Sequence, residues 1–141
     1  MRRFLTALFI ALALPMTAMA QTPPGVFTSY DQMLATLDPL MQTRQIVQLL
    51  TAFGGQDEMT PEDMTALEIQ VRNLFPNDFT NVAVMQRMEM ENGFAQELVA
   101  YWDDQYNYIY VRLLTHQLED GTLTALNMTF NSDINVLLPL F

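Results

Sequence analysis

The amino-acid sequence predicts an α+β protein, with N-terminal helices packed on one face of a four-stranded antiparallel meander. Three observations predict it. Apolar residues recur with a period near 3.6 up to residue 79 and near 2 beyond it. Helical and strand patterns are segregated along the chain rather than alternating, which excludes a parallel βαβ arrangement. Asn92-Gly93, Asp104-Gln105 and Asp120-Gly121 each fall between alternating apolar runs, where tight turns join neighbouring strands. The 141 residues, half of them apolar, suffice for one domain with a substantial core.

The elements follow in chain order. Residues 1–20, MRRFLTALFIALALPMTAMA, read as a secretory leader. Arg2 and Arg3 precede an apolar run from Phe4 to Leu14, and Ala18-Met19-Ala20 supplies a small-x-small cleavage signature. The run is shorter than the ~20 apolar residues of a membrane span. Cleavage after Ala20, a single domain over 21–141, and a periplasmic or secreted bacterial location are therefore expected, with no membrane association once the leader is removed. No cysteine follows the run, so a lipid-anchored lipoprotein is excluded.

Residues 21–27, QTPPGVF, form an extended lead-in. A first helical pattern covers Tyr30 to Leu37, and Asp38-Pro39 reads as a cap and first-turn proline opening a second helix to about Phe53. Gly54-Gly55 stops it. Thr60-Pro61-Glu62-Asp63 is a helix start, with a hydroxyl cap, proline at the first position and acids at the positive end of the dipole. Met64, Leu67, Val71, Leu74 and Phe75 then follow helical spacing up to Pro76. Four strands are predicted over 80–91, 94–103, 106–119 and 122–131.

Two-residue turns fix which residues face each other. They oppose Val84 to Tyr101, Arg87 to Leu98, Tyr101 to Tyr108, Val99 to Tyr110, Glu97 to Arg112, Val111 to Phe130, Leu113 to Met128 and His116 to Ala125. The core face then carries Met85, Leu98, Ala100, Trp102, Ile109, Val111, Leu113, Leu126, Met128 and Phe130. The opposite face gathers Tyr101, Tyr108 and Tyr110 beside Glu97, Arg112 and His116, and these six form the candidate interaction surface. Clustered tyrosines serve as cross-strand packing or as a contact surface for a partner, including a second copy of the chain.

Composition excludes several functions. Arg2 and Arg3 leave with the leader while all 16 carboxylates stay, which takes the formal charge from −10 to −12. Such a chain repels nucleic acid and anionic lipid. Without cysteine there is no disulfide, thiol nucleophile or thiolate metal site. Met85, Met88 and Met90 are thioethers of the kind that suits copper(I), but strand alternation sets Met85 on the face opposite the other two. The acidic runs at Asp57-Glu58 and Glu62-Asp63 lack the pattern of a calcium loop. No metal and no cofactor are expected. The serines, Ser29 and Ser132, lie far from the single histidine, His116, so no Ser-His-Asp triad is expected.

YNYIYVRLL, the acidic turn LEDG and TALNMTFNSDI at 124–134 resemble the C-terminal sheet of the NTF2-like α+β superfamily, and within it small secreted bacterial proteins of unknown function. The resemblance covers residues 75–134. It implies a roll with a pocket between curved sheet and helices, where enzymatic members place an Asp or His. Here the inward positions assigned above are aliphatic, leaving only Asp57 or Glu68 from a helix as a base. The expectation is a non-catalytic exported module that binds a partner or small ligand. The alternative is an NTF2-like enzyme, or a binder of hydrophobic small molecules in the helix–sheet cleft.

Overall fold

The computed structural model describes residues 22–141, so the predicted leader lies outside the described residues. The architecture is α+β. In chain order it comprises β1 (Val26–Phe27), α1 (Tyr30–Gln42), α2 (Ile46–Ala52), α3 (Pro61–Leu74), β2 (Asn81–Glu89), β3 (Phe94–Trp102), β4 (Tyr108–Gln117), β5 (Leu123–Asn131) and α4 (Ile134–Leu137). The strands form one antiparallel sheet in the order β1-β5-β4-β3-β2. The sheet has five strands rather than the expected four, because part of the lead-in pairs with Leu123 and Thr124 of β5. Gly25 directs it there: its φ is +77°, and its backbone bonds Ala52 on one side and Ala125 on the other.

Helix α1 is capped by Ser29, whose hydroxyl accepts from the Gln32 amide. It continues through Pro39, so the expected helix boundary there is wrong. Met33, Leu37 and Met41 lie one turn apart and are fully buried, which holds the helix together across the proline. The carbonyl left without its helical donor belongs to exposed Ala35, where water can replace the bond. The chain instead turns at Arg44, with φ of +55°. The Arg44 side chain reaches the Phe75 carbonyl and Asp78, tying the α1–α2 corner to the end of α3. Helix α3 starts as predicted, with the Thr60 hydroxyl accepting from the Asp63 amide.

All three hairpin loops differ from the expected two-residue turns. The closing bonds run from the amide of Met90 to the carbonyl of Phe94, from Asp103 to Asn107 and from Leu118 to Thr122. Each loop therefore holds three residues, 91–93, 104–106 and 119–121, and its last residue (Gly93, Tyr106 or Gly121) is left-handed. Carboxylates organise two of them. Asp103 accepts from the amides of Gln105 and Asn107 at 2.9 and 3.0 Å and from the Asn107 carboxamide at 2.8 Å. Asp120 accepts from the Thr122 amide at 2.9 Å.

One extra loop residue moves the register by one, which exchanges the faces of a strand. Glu97 pairs with Leu113 and not Arg112, Tyr101 with Ile109 and not Tyr108, and Val99 with Val111 and not Tyr110. On the other side Val84 pairs with Val99 and Arg87 with Glu97. Val111–Phe130 and Leu113–Met128 pair as predicted, because a bulge at Leu126 compensates for the longer third loop. Between that loop and the bulge the longer loop sets His116 opposite Thr124 and not Ala125. A second bulge leaves Met85 unpaired in β2, the edge strand.

The inward face of the sheet thus carries Glu97, Val99, Tyr101, Ile109, Val111 and Leu113, which share the core with α1–α3. Leu98, Ala100 and Trp102 lie on the opposite, outer face, contrary to expectation. Leu98 and Ala100 are nevertheless buried. The C-terminal segment crosses that face: Gln96, a neighbour of Leu98 on it, donates to the Leu140 carbonyl at 3.0 Å, and Leu137 is fully buried.

Candidate functional site

The corrected register turns a carboxylate into the protein. Glu97 is 1% exposed and stands on the inward face among aliphatic neighbours. Burying a charge this deeply is costly unless it is paired and hydrogen-bonded. Two groups supply that compensation. The Tyr30 hydroxyl, at the start of α1, donates to Glu97 Oε1 at 2.6 Å. Arg87 Nη1, from the directly paired position on β2, donates to the same oxygen at 2.7 Å. The guanidinium carbon also lies 4.5 Å from the centre of the Tyr30 ring, a cation–π arrangement. Glu97 Oε2 is buried and accepts no hydrogen bond from the described residues.

The environment shifts both partners. Burial, reinforced by the bond to Glu97, pushes the Tyr30 phenol up to about 12. For Arg87 burial opposes the charge, but the bond to Glu97 and its negative charge outweigh this and raise its pKa. Behind this cluster Tyr101, fully buried, donates to Asp38 Oδ1 of α1 at 2.7 Å. Burial first, and then that bond, drives the Tyr101 phenol far above its ordinary value.

A cleft with a cavity of about 260 Å³ opens beside the cluster. Tyr30, Arg87 and Glu89 form its polar wall, Met90, Phe94 and Leu123 its apolar one, and Ala95 and Thr115 lie beneath. Ala95 and Thr115 are a cross-strand pair in the inward row next to Glu97 and Leu113. A second cleft, of about 210 Å³, lies between α3 and the sheet and is lined mainly by Leu67, Val71, Leu74, Phe75, Ile109 and Phe130. It is apolar and holds no charged group.

The six residues of the expected interaction surface are divided by the sheet. Glu97 and Tyr101 point inward, whereas Tyr108, Tyr110, Arg112 and His116 lie on the outer face. There Tyr108 stacks between Trp102 and Tyr110, at 5.7 and 6.0 Å between ring centres. Arg112 binds Gln96 Oε1 at 2.7 Å and Asn127 Oδ1 at 3.1 Å, neither of them charged. His116 stacks on Phe94 at 4.1 Å, and its Nε2 lies 3.1 Å from the Asn92 carbonyl, bracing the first hairpin loop. Glu68 caps α2 through the Val47 amide and pairs with Arg72, while Asp57 is exposed, so neither serves the inward face. The bulge removes the simple alternation that set Met85 against Met88 and Met90.

Tyr30, Arg87 and Asp38 were not singled out from sequence. A signal for Arg87 did exist: a three-residue loop at 91–93 sets it opposite Glu97. Among the described residues no group of three or more His, Asp or Glu could hold a metal ion, and no helix is long and apolar enough to cross a membrane. Comparison with protein-family models, curated proteins and solved structures found no match.

Proposed function

We propose that the protein is an exported, non-catalytic small-ligand-binding module whose site is the cleft beside Tyr30 and Arg87. The observation that carries this reading is Glu97, a fully buried carboxylate with one oxygen doubly bonded by donors and the other unused. A concave site with a few convergent polar groups and apolar walls is the general form of a small-molecule site. A non-catalytic role accords with Arg87 and Tyr30 already engaging the carboxylate, and with His116 lying on the far side of the sheet. A fragment screen followed by ¹⁵N–¹H correlation spectra tests the reading. Binders should shift the amides of Phe94, Ala95 and Thr115 saturably, and a diverse library that never does so would sink it.

A second reading, an NTF2-like enzyme, is favoured by one specific observation. A titratable group does stand on the inward face, where the sequence-based register left none. Under that reading Glu97→Gln would abolish turnover of a bound compound without weakening its binding. Under the binding reading no bound compound is turned over by either protein.

A further inference from the structure

We infer that the second hairpin loop, residues 104–106, is a docking point for a basic protein, with Tyr106 receiving an arginine side chain of that partner. The inference is independent of the cleft beside Tyr30. It starts from a comparison within the molecule. The three hairpin loops have the same length, and each ends on a left-handed residue. Two of them use glycine there, Gly93 and Gly121, which the conformation favours. At Gly121 a Cβ would meet nothing within 4 Å, so only the backbone angle calls for glycine. The middle loop instead holds Tyr106, with φ of +63°, a conformation that a bulky L-residue rarely adopts. Packing does not account for it. Tyr106 is 73% exposed, more than any other large apolar or aromatic side chain among the described residues, and it takes no part in the stack of Trp102, Tyr108 and Tyr110. Backbone strain retained for an exposed side chain points to a contact made outside the chain.

The loop presents this ring from an ordered backbone. Buried Asp103 accepts from the amides of Gln105 and Asn107, and the Tyr106 amide donates to the Asp103 carbonyl at 3.1 Å. An aromatic side chain on a preordered loop gives up little freedom on binding, and tyrosine is a common anchor of protein contacts. Charge decides the kind of partner. Asp103 and the exposed Asp104 pair with no cation among the described residues. Elsewhere the protein assembles tyrosine, carboxylate and arginine together: Arg87 lies over the Tyr30 ring while donating to Glu97. At the loop the tyrosine and the carboxylate are present and the arginine is missing. A guanidinium fits best, because its plane stacks on a ring and its edge pairs with a carboxylate. A second copy of the chain has none to offer. Its described residues include no lysine, and Arg44, Arg72, Arg87 and Arg112 are each held by side chains of their own. The partner is therefore a different protein, and the acidic surface of this one steers a basic surface towards it.

The strain and the contact are tested together. The peptide Gly-Arg-Gly-Arg-Gly, its lysine counterpart and its citrulline counterpart are titrated at constant ionic strength into the wild type, Tyr106→Gly and Asp104→Asn, read by the amide shifts of residues 104–107. The arginine peptide should shift these amides saturably at millimolar concentration, the lysine peptide more weakly and the citrulline peptide not at all. Tyr106→Gly and Asp104→Asn should each weaken the arginine peptide by about fivefold. Tyr106→Gly should also raise the urea midpoint by about 0.5 M, because glycine relieves the backbone. A gain in stability beside a loss of binding is the behaviour of a contact residue, and a packing residue would give the opposite. A midpoint in Tyr106→Gly no higher than that of the wild type overturns the proposal. So does undiminished binding to that variant, an arginine peptide that binds no better than the others, shifts confined to acidic surfaces away from the loop, or no shift with any peptide. None of these outcomes bears on the cleft, which the fragment screen decides.

Discussion

Replacing Tyr101 with phenylalanine tests the inward face directly, because it removes one oxygen and leaves the ring. The hydroxyl donates to Asp38 Oδ1 at 2.7 Å, linking β3 to α1 across the core. A hydrogen bond to a charged acceptor contributes about 1.5–3 kcal/mol. Asp38 is only half-buried, so water can replace part of what is lost, and the lower end applies, about 1.5 kcal/mol. For a domain of this size that corresponds to a fall in Tm of roughly 5–6 °C. With a urea m-value of about 2 kcal/mol/M it lowers the midpoint by roughly 0.7 M. The control is Tyr110→Phe on the outer face, where the hydroxyl bonds none of the described residues, and where the change should stay within about 0.5 kcal/mol. Urea titrations followed by far-ultraviolet circular dichroism measure both. A neutral Tyr101→Phe beside a costly Tyr110→Phe would refute the three-residue loops and the face assignment built on them.

The two loop glycines should respond differently to alanine. Both have positive φ, +83° at Gly93 and +87° at Gly121, so each substitution costs about 1 kcal/mol in backbone strain. A Cβ at Gly93 would also stand 2.3 Å from the Gln117 carbonyl oxygen, whereas one at Gly121 meets nothing within 4 Å, so Gly93→Ala should have the lower urea midpoint. Tyr30 ionises near pH 10 when unfolded and at about 12 when folded. Its contribution to stability is therefore intact below pH 10 and is lost as the pH rises from 10 through 12. Urea midpoints measured from pH 8 to 11 should begin to fall near pH 10, and less steeply in Tyr30→Phe. If the leader is cleaved as the sequence predicts, the intact mass of protein recovered from a secreting cell should correspond to a chain beginning at Gln21.

The class of fold, the helix start at Thr60 and the pairing of β4 with β5 were legible in the sequence, because periodicity and capping chemistry are local signals. The face of β3 was not. Its sequence, FAQELVAYW, is almost equally apolar in either alternation, and the strand is buried on both sides, by α1–α3 inward and by the C-terminal segment outward. No polar phase marks which side faces the helices. The decision then fell to loop length. Asn92-Gly93 signals a two-residue turn strongly, but Glu91 joins it to make three, and the Asp103 bonds impose the same length on the next loop. The second change reverses β3 against β4 and carries Glu97 and Tyr101 inside, and the first sets Arg87 opposite Glu97. The candidate site followed from that reversal, so it was hidden with it. Tyr30 and Asp38 were hidden for another reason: only the tertiary packing of α1 brings them to β3.

The bulge at Met85 bears on how the protein behaves when crowded with its own copies. Strand β2 ends the sheet, and Val82, Val84, Met85 and Met88 on it are exposed. A regular edge of this length and character invites another chain to add a strand, the first step of aggregation. The unpaired residue interrupts the spacing of free amides and carbonyls midway along the edge, so no straight strand can match both halves. Arg87, drawn inward to Glu97 just beyond it, adds a charge whose desolvation opposes such pairing. Deleting Met85 would restore an unbroken edge and remove that safeguard. The resulting chain should be the one that forms fibrils, even where its core is as sound as before.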